Sequence, residues 1–558
     1  MERLSANQTL AVAVVGRLRA CGVRTFCVCP GGRNAPLVEV LDEQVEKGSD
    51  SFSDPCPEVL SFFDERSAAF FALGRARRDG TPVAVVTTSG TAAAELLPAM
   101  VEAHYSGVPL LAVTADRPRA YRGSGAPQAI DQVNIFGTFA RVFVDLEHPG
   151  DAWTWPAPDG PAHINVCFSD PLLADWRSTT GVPLCPDAVP PDPGTVLSAR
   201  DAAAIHASVI AEFESFLARV RSPLIIVGGL HQSGDREPVA RFCQELGAPM
   251  LAEASSGIRS APGARLLRSG DEVVQRGIEQ HLFDSVIRIG EVPSFRIWRD
   301  LELSFRVPVL SVSRTPWRGL THGTHLHVPA GMPLPLPADA RRTISGAARL
   351  DGTPAPTMAS VEALLAWDAR VAAASDRLLA SHPRSEPALV RRLSETIPAG
   401  SFVYLGNSLP IREWNQFATF ADRRLSIGEN RGANGIDGQV ASFLGWARPG
   451  VENWAVIGDL TALYDLSAPW ALRHLDGLRL RIVVINNGGG RIFKRMFRNE
   501  RFQNRHAAGF EAWAAMWGTE YHAALPSGEI GPAAIIELRP DEDETEAFWA
   551  RLADEARG

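Results

Sequence analysis

The chain has 558 residues, of which 45% are hydrophobic and 21% are charged, as is typical of large globular enzymes. Its formal charge of −9 at pH 7 argues against nucleic-acid binding, and no apolar run approaches the ~20 residues that would span a membrane. Lysine occurs only at Lys47 and Lys494, so few residues could serve a pyridoxal-phosphate enzyme or act as a lysine nucleophile. We therefore expect arginine to recognise anionic ligands.

The cysteines and the N-terminal segment both indicate a protein of the reducing cytoplasm. Seven cysteines are present without a CxxC pair, which argues against a disulfide framework and against a zinc site. The apolar run 10–15 is short and is followed at once by Arg17 and Arg19. It therefore predicts an amphipathic helix rather than a signal peptide.

Short apolar runs alternate with segments of helical periodicity along the whole chain, as in buried parallel sheets. The predicted strands are 25–29, 83–87, 110–114, 224–227, 286–289, 402–405, 454–457 and 482–485. Two proline-rich stretches, 186–194 and 333–356, have the composition of linkers. The pattern predicts an α/β protein of three doubly wound parallel-sheet domains, with bounds 1–185, 195–350 and 358–558.

Ligands of such sheets bind where strands end and helices begin, so the residues after each predicted strand are the candidate site residues. In the first domain the strands are followed by 30–34, by 88–91 with a predicted helix 92–103, and by 115–118. In the third domain they are followed by 406–408, 458–459 and 486–488. The middle domain offers only Gly228-Gly229 and no GxGxxG, which supports a dinucleotide site weakly.

The most specific motif is Gly458-Asp459-Leu460 followed, after the 25 residues 461–485, by Asn486-Asn487. An Asp and an Asn at the ends of neighbouring parallel strands can converge on one hard cation, and Mg²⁺ prefers such oxygen ligands together with diphosphate oxygens. We predict that Asp459, Asn486 and the carbonyl of Gly488 bind the metal. The alternative, one residue later, is Asn487 with the carbonyl of Gly489. The motif resembles the diphosphate-binding signature of thiamine-diphosphate enzymes, whose usual spacing favours Asn486.

A second motif, Asp64-Glu65-Arg66, separates the apolar run 59–63 from a predicted helix 67–77. Thiamine-diphosphate enzymes need a carboxyl group against the aminopyrimidine ring, where it favours the imino tautomer that removes the thiazolium C2 proton. Glu65 is the predicted catalytic residue, and we expect burial against the cofactor to raise its pKa. Taken alone, a Glu in the first turn of a helix is usually explained by the helix dipole.

Longer segments extend this resemblance over the first and third domains, in order: CPGGRNAPL, FFDERSAAFFALGRAR, GAPQAIDQ, GNSLPIREWNQF, ENRGANGIDGQVASFLG and GDLTALYDL. Together they resemble the 2-succinyl-5-enolpyruvyl-6-hydroxy-3-cyclohexene-1-carboxylate synthase family of menaquinone biosynthesis. The resemblance implies pyrimidine, middle and diphosphate domains that bind thiamine diphosphate with Mg²⁺ or Mn²⁺. It implies decarboxylation of 2-oxoglutarate and addition of the succinyl-semialdehyde unit to isochorismate. It also implies a homodimer or homotetramer with active sites at the subunit interface.

Both implied substrates are dicarboxylates, and arginines at the strand ends suit their bidentate recognition: Arg33, Arg117, Arg412 and Arg431. The resemblance places these arginines around the substrates and adds Gln128, Ser408, Ile492 and Phe493 as substrate contacts. It also implies cofactor contacts by Ser408, Arg431, Leu460 and Ile436, the last as the apolar wedge under the bent cofactor.

Three departures from the family pattern bear on the choice of substrate. Gly32 stands where the family generally has Ser, and Arg491 looks like an insertion in the turn after Asn487. Phe295 stands where we expect a Lys, with Arg296 as its substitute. The alternative hypothesis is an acetolactate-synthase-like carboligase with smaller acceptors, against which the arginines argue because neutral substrates would leave guanidinium groups unpaired.

Overall fold

The structure is a computed structural model that describes residues 4–46, 56–154, 159–173, 176, 199–303, 307–329, 331–338, 340 and 358–557. The first predicted linker, most of the second, and the predicted domain bounds at 185, 195 and 350 lie outside these residues, so the bounds stay predictions. The chain divides into two compact units. Unit 1 comprises Met1–Val196, Asn430–Gly450 and Thr461–Leu478, and unit 2 comprises Leu197–Glu429, Val451–Leu460 and Arg479–Gly558.

Unit 1 contains a six-stranded parallel sheet of order β2-β1-β3-β4-β6-β5. Its strands are β1 Thr25–Val28, β2 Glu58–Ser61, β3 Val83–Thr87, β4 Leu110–Asp116, β5 Val142–Leu146 and β6 Ala162–Cys167. The central strands β3, β4 and β6 are buried on both faces, which explains why they are nearly continuous apolar runs.

Unit 2 contains two further six-stranded parallel sheets, of order β12-β11-β10-β7-β8-β9 and β14-β13-β15-β16-β18-β17. The strands of the first are β7 Pro223–Val227, β8 Pro249–Ala252, β9 Arg265–Leu266, β10 Ser285–Ile289, β11 Val309–Ser313 and β12 Thr324–His327. The strands of the second are β13 Phe402–Leu405, β14 Ser426–Gly428, β15 Glu452–Gly458, β16 Arg479–Ile485, β17 Glu520–His522 and β18 Ala533–Leu538. Three parallel-sheet α/β domains confirm the predicted fold class.

Helices connect and cover these strands. In chain order they are α1 Ala6–Ala20, α2 Ala35–Glu46, α3 Glu65–Asp79, α4 Thr91–Ala94, α5 Leu97–Ser106, α6 Ala199–Leu217, α7 Ser233–Leu246, α8 Asp271–Glu279, α9 Arg296–Leu301, α10 Met358–Ser381, α11 Glu386–Thr396, α12 Leu409–Phe417, α13 Gln439–Trp446, α14 Asp459–Tyr464, α15 Glu511–Met516 and α16 Glu542–Arg557. None of the helices in the described part of the chain combines the length and apolar character of a membrane span.

Two helix predictions were wrong in detail. The predicted helix 92–103 is divided into α4 and α5, because Pro98 in the first turn of α5 has no amide hydrogen to donate back to Ala94. The predicted amphipathic helix at 10–15 belongs to α1, which is buried around most of its circumference, including Gln8 and Arg19. It is therefore a core helix of unit 1.

Within unit 1, the backbones of α3 and α13 lie in close contact at two glycines. A Cβ on Gly74 would lie 2.1 Å from the carbonyl oxygen of Ser442, and one on Gly445 would lie 2.0 Å from the carbonyl oxygen of Phe71. No larger residue fits at either position without moving a helix backbone. The two glycines therefore join the segment 430–450 to the N-terminal part of the chain.

Candidate active site

The carboxyl ends of β15 and β16 bring the two halves of the Asp459 motif together. Asp459 directly follows β15 and is 2% exposed. Its Oδ1 accepts the amide of Leu460 at 2.7 Å, and its Oδ2 accepts the amides of Gly488 and Gly489 at 2.8 and 2.9 Å. Burial raises the pKa of Asp459, and these backbone donors oppose the shift. The Nε2 of His506 lies 3.3 Å from the same Oδ2, and the His506 amide donates to the Gly488 carbonyl.

The two candidate asparagines differ in how their amides are bonded. Asn486 donates to the carbonyl of Ala508 at 2.8 Å and to the carboxylate of Glu537 at 2.6 Å, and its Oδ1 accepts a backbone amide. Asn487 donates to both carboxylate oxygens of Glu386, at 3.0 and 2.9 Å. Within the part of the chain that the structure describes, the buried Oδ1 of Asn487 has no hydrogen-bond partner.

These groups fit a hard divalent cation that is held together with a diphosphate. Asp459 offers a carboxylate and Asn487 an unpartnered amide oxygen, which are donors that Mg²⁺ prefers. No group of three or more His, Cys, Asp or Glu side chains among the described residues could hold a metal by itself. A cation at these strand ends would therefore need oxygens from its ligand.

The turn after Asn487 is pinned by the residue that we interpreted as an insertion. Arg491 donates to the carbonyl of Asn487 at 3.0 Å, to Gln503 at 3.2 Å and to the carboxylate of Glu542 at 2.7 Å. Its side chain is 12% exposed. Arg491 therefore stabilises the turn that carries Gly488 rather than reaching outward.

Ile492 and Phe493 lie in the single helical turn that Arg491 begins. Phe493 is 37% exposed, and its ring centroid lies 6.0 Å from that of Phe497 and 6.3 Å from that of Phe502. Phe493 thus belongs to a partly exposed aromatic cluster of unit 2, whereas Ile492 lines a pocket together with Asn487 and Arg491.

Ser408 and Arg412 lie at the start of α12, after the carboxyl end of β13. Ser408 has φ 75°, a left-handed conformation that is unfavourable for a residue other than glycine. Arg412 is exposed, and its Nη1 donates to the carbonyl of Ser294 at 2.7 Å. Strained backbone at such a position is characteristic of ligand-binding turns.

Glu65 begins α3 in unit 1 and is half-buried. The preceding Asp64 caps the helix by accepting the amide of Ser67 at 3.0 Å, so Glu65 is not needed as the cap. Burial raises the pKa of Glu65, and the neighbouring carboxylates of Asp64 and Glu95 add to the shift. The pKa of Glu65 is therefore raised by the protein alone, and the effect expected from burial against the cofactor stays a prediction.

Arg33, Arg117 and Gln128 lie in one region of unit 1. Arg33 is 8% exposed and presents both terminal nitrogens to the carboxylate of Asp170, at 3.3 and 3.2 Å. Arg117 reaches the same carboxylate at 3.9 Å and donates to the carbonyl of Pro127, next to Gln128. Gln128 is exposed and has φ 55°. The sequence therefore predicted this pair of arginines but not the carboxylate between them.

Arg431 and Ile436 lie in a loop of unit 1 that a buried carboxylate holds. Glu102 of α5 is 3% exposed and accepts the amides of Gly432 and Ala433 at 2.8 and 2.6 Å. The positive charge of Arg431 opposes the rise in the pKa of Glu102 that burial causes. Arg431 and Ile436 are both partly buried.

Sequence reasoning missed the acidic residues that hold the site loops, namely Glu102, Asp170 and Glu386. Each is distant in sequence from the residue that it binds, and no local pattern marks it. The one available signal was that Glu386 opens a helix beside a serine cap, which has an ordinary structural explanation.

The structure also places the other departures from the family pattern. A Cβ on Gly32 would meet no atom within 4 Å, so a serine would fit at this position. Steric crowding therefore does not explain why glycine replaces serine here. Phe295 is buried in the core of unit 2, while the side chain of Arg296 is 57% exposed and pairs with Asp300 at 3.4 Å.

Comparisons with known proteins agree with this arrangement. Residues 8–135 match the model of the thiamine pyrophosphate enzyme N-terminal TPP-binding domain. The chain is 39% identical to the 2-succinyl-5-enolpyruvyl-6-hydroxy-3-cyclohexene-1-carboxylate synthase of Bdellovibrio bacteriovorus, over 97% of this chain and 98% of that protein. It is 38% identical to the synthase of the same name from Akkermansia muciniphila, over 95% and 96%. It is 32% identical to that of Geobacillus thermodenitrificans, over 97% and 96%.

Proposed function

Because this chain belongs to the 2-succinyl-5-enolpyruvyl-6-hydroxy-3-cyclohexene-1-carboxylate synthase family, we propose that it decarboxylates 2-oxoglutarate and adds the remaining unit to isochorismate. It is a thiamine-diphosphate-dependent enzyme that forms a carbon–carbon bond in menaquinone biosynthesis. The observation that carries the proposal is the convergence of buried Asp459 with the 486–489 turn at adjacent strand ends.

Thiamine diphosphate, when bound, supplies the carbon that attacks the 2-oxo acid and stabilises the charge left by decarboxylation. Asp459 would hold Mg²⁺ or Mn²⁺ with Asn486 and the Gly488 carbonyl, or with Asn487 and the Gly489 carbonyl. The unpartnered oxygen of Asn487 supports the second set. Glu65 would present a proton to the pyrimidine ring, since its raised pKa keeps the carboxyl group protonated to a higher pH.

In our proposal, two of the four arginines bind each substrate. Arg33 and Arg117 would bind carboxylates of isochorismate, in competition with Asp170, which already bridges them. Arg412 and Arg431 would bind carboxylates of the 2-oxoglutarate-derived unit. Bidentate pairing with a carboxylate is the geometry for which a guanidinium group is suited.

We further propose a homodimer or homotetramer in which Glu65 of one subunit serves the cofactor held by Asp459 of another. This rests on the family resemblance. The cytoplasm is the proposed compartment, since the described cysteines, Cys21, Cys27, Cys29, Cys56, Cys167 and Cys243, are free thiols.

The test is an absorbance assay with purified protein, Mg²⁺, thiamine diphosphate, 2-oxoglutarate and isochorismate, in which isochorismate should be consumed only when every component is present. Arg33→Ala should lower kcat/KM for isochorismate by roughly 30- to 1000-fold while sparing donor decarboxylation, as loss of a charged contact of about 2–4 kcal/mol predicts. If pyruvate equalled 2-oxoglutarate as donor and isochorismate were ignored, the acetolactate-synthase-like alternative would replace the proposal.

A further inference from the structure

Arg412 is oriented by a loop of the preceding sheet, residues 290–296 after β10. The guanidinium Nη1 donates to the carbonyl of Ser294 at 2.7 Å, and its positive charge opposes the rise in the pKa of Asp271 that burial causes. The direction in which Arg412 points therefore depends on the orientation of the Ser294 peptide group.

A buried carboxylate holds Ser294 in place. Glu253 follows β8 and is 1% exposed, and its Oε1 accepts the amide of Ser294 at 2.6 Å and the hydroxyl of Ser294 at 2.5 Å. Ser294 itself is 3% exposed. Among the described residues the other carboxylate oxygen, Oε2, has no hydrogen-bond partner, so the contacts of this side chain pass through one oxygen.

Asn415 connects the same two residues to the helix that carries Arg412. Its Nδ2 donates to the Ser294 hydroxyl at 3.0 Å and reaches Oε1 of Glu253 at 3.5 Å, and its Oδ1 accepts the amide of Ala254 at 2.8 Å. Arg412 and Asn415 are three residues apart in α12 and therefore lie on one face of the helix. That face bonds to the carbonyl of Ser294 through Arg412 and to the amide of Ala254 through Asn415.

The loop is also held beyond Ser294. Asp271, the first residue of α8, accepts the amides of Arg296 and Ile297 at 2.8 and 2.9 Å. Phe295 between these anchors is buried in the core. With both flanks fixed, the Ser294 carbonyl has one orientation, and Glu253 is the anchor closest to it.

We propose that Glu253 is a positioning residue for Arg412, acting through Ser294 and Asn415. Glu253 sets the orientation in which the guanidinium group of Arg412 meets a carboxylate of the 2-oxo acid donor. This role of Glu253 rests on the proposed role of Arg412. Because one oxygen makes all of these contacts, the position requires a hydrogen-bond acceptor and not a charge.

The test compares Glu253→Met, which keeps the volume and removes the acceptor, with Glu253→Gln, which keeps one acceptor oxygen. Glu253→Met should raise the KM for 2-oxoglutarate about tenfold while kcat and the KM for isochorismate stay within about twofold of wild type. Glu253→Gln should restore the KM to within about threefold. If Glu253→Met does not fold, Ser294→Ala should shift the same KM in the same direction by a smaller factor.

Two further variants separate this inference from the proposed function. Asp235 is 4% exposed, and its carboxylate pairs with Arg314 in the same unit. Asp235→Asn therefore controls for the general destabilisation that follows loss of a buried carboxylate. It should leave both KM values unchanged. Arg412→Ala should raise the donor KM, and adding Glu253→Met to it should have little further effect. An effect of Arg412→Ala with none from Glu253→Met or Ser294→Ala would overturn the relay alone. No effect of Arg412→Ala on the donor KM would overturn the assignment of Arg412 and the relay with it.

Discussion

At the scale of single residues, the carboxyl group of Glu65 is not required to cap the helix that it begins. Asp64 already satisfies the helix start, and burial raises the pKa of Glu65. Glu65→Gln is nearly isosteric but cannot transfer a proton, so the variant should bind thiamine diphosphate and exchange the thiazolium C2 proton at least about 100-fold more slowly. NMR-monitored exchange is the measurement, and a rate equal to wild type would remove Glu65 from the mechanism.

The same substitution should change how the free energy of unfolding depends on pH. A raised folded pKa means that the stabilising contribution of Glu65 is present below its ordinary value of 4.5 and is lost as the pH rises through the folded pKa. Gln cannot ionise. Glu65→Gln should therefore gain free energy of unfolding relative to wild type between pH 4 and pH 8. Urea denaturation at both pH values checks this, and a difference independent of pH would contradict it.

The two asparagines of the 486–489 turn give a third prediction at this scale. Asn487→Ala should raise the dissociation constant for Mg²⁺ in the presence of thiamine diphosphate by at least about tenfold, because it removes the unpartnered oxygen. Asn486→Ala should retain the metal and lower the melting temperature through loss of the Glu537 contact. Isothermal calorimetry separates the two, and the reverse pattern would restore Asn486 as the ligand.

The local sequence predicted the site residues that follow strands, but it did not predict the carboxylates that bind them. Asn486 and Asn487 directly follow β16, and Arg33 lies in the turn after β1, where ligands of parallel sheets bind. Their partners Glu537, Asp170 and Glu386 come from distant segments, and only the tertiary packing brings them close. The contacts of Arg491 with Gln503 and Glu542 were not predictable for the same reason.

At the scale of elements, continuous apolar runs predicted several strands closely, but β6, β8 and β11, which are buried throughout, were not among the predicted strands. The predicted 83–87 and 402–405 have the same bounds in the structure, and 454–457 is extended to Glu452–Gly458. The edge strands β9 and β12 escaped prediction because partial exposure interrupts their apolar pattern, and β14 escaped it because it has only three residues.

The glycine contacts between α3 and α13 can be tested directly. Gly74→Ala places a methyl group against the Ser442 carbonyl and should lower the free energy of unfolding by about 1–3 kcal/mol, as overpacking does elsewhere. Gly234→Ala is the matched control, because a Cβ there meets no atom within 4 Å. Equal melting temperatures for the two variants would show that the helices can separate at little cost.

At the scale of the whole molecule, the proposed sharing of one cofactor between subunits predicts complementation. Glu65→Gln and Asp459→Ala proteins should each be inactive, but a mixed dimer contains one site with both residues intact. Mixing them under conditions of subunit exchange should restore up to about a quarter to a half of wild-type activity, depending on how the subunits redistribute. Glu65→Gln protein taken alone through the same exchange conditions serves as the control. No recovery of activity despite measured subunit exchange would favour a site within one chain.

Unit 1 is assembled from three stretches of chain, and this has a consequence for synthesis in the cell. Its sheet ends by Val196, but α13 and the segment Thr461–Leu478 arrive only after residues 197–429 have been made. From residue 196 to residue 446, where α13 ends, a ribosome adds 250 residues, which at roughly 5–20 residues per second takes about 13–50 s. During that time the small-residue surface of α3 around Gly74 has no α13 to cover it. We expect nascent chains arrested before residue 430 to expose this surface to chaperones and proteases, and chains arrested beyond 478 to protect it.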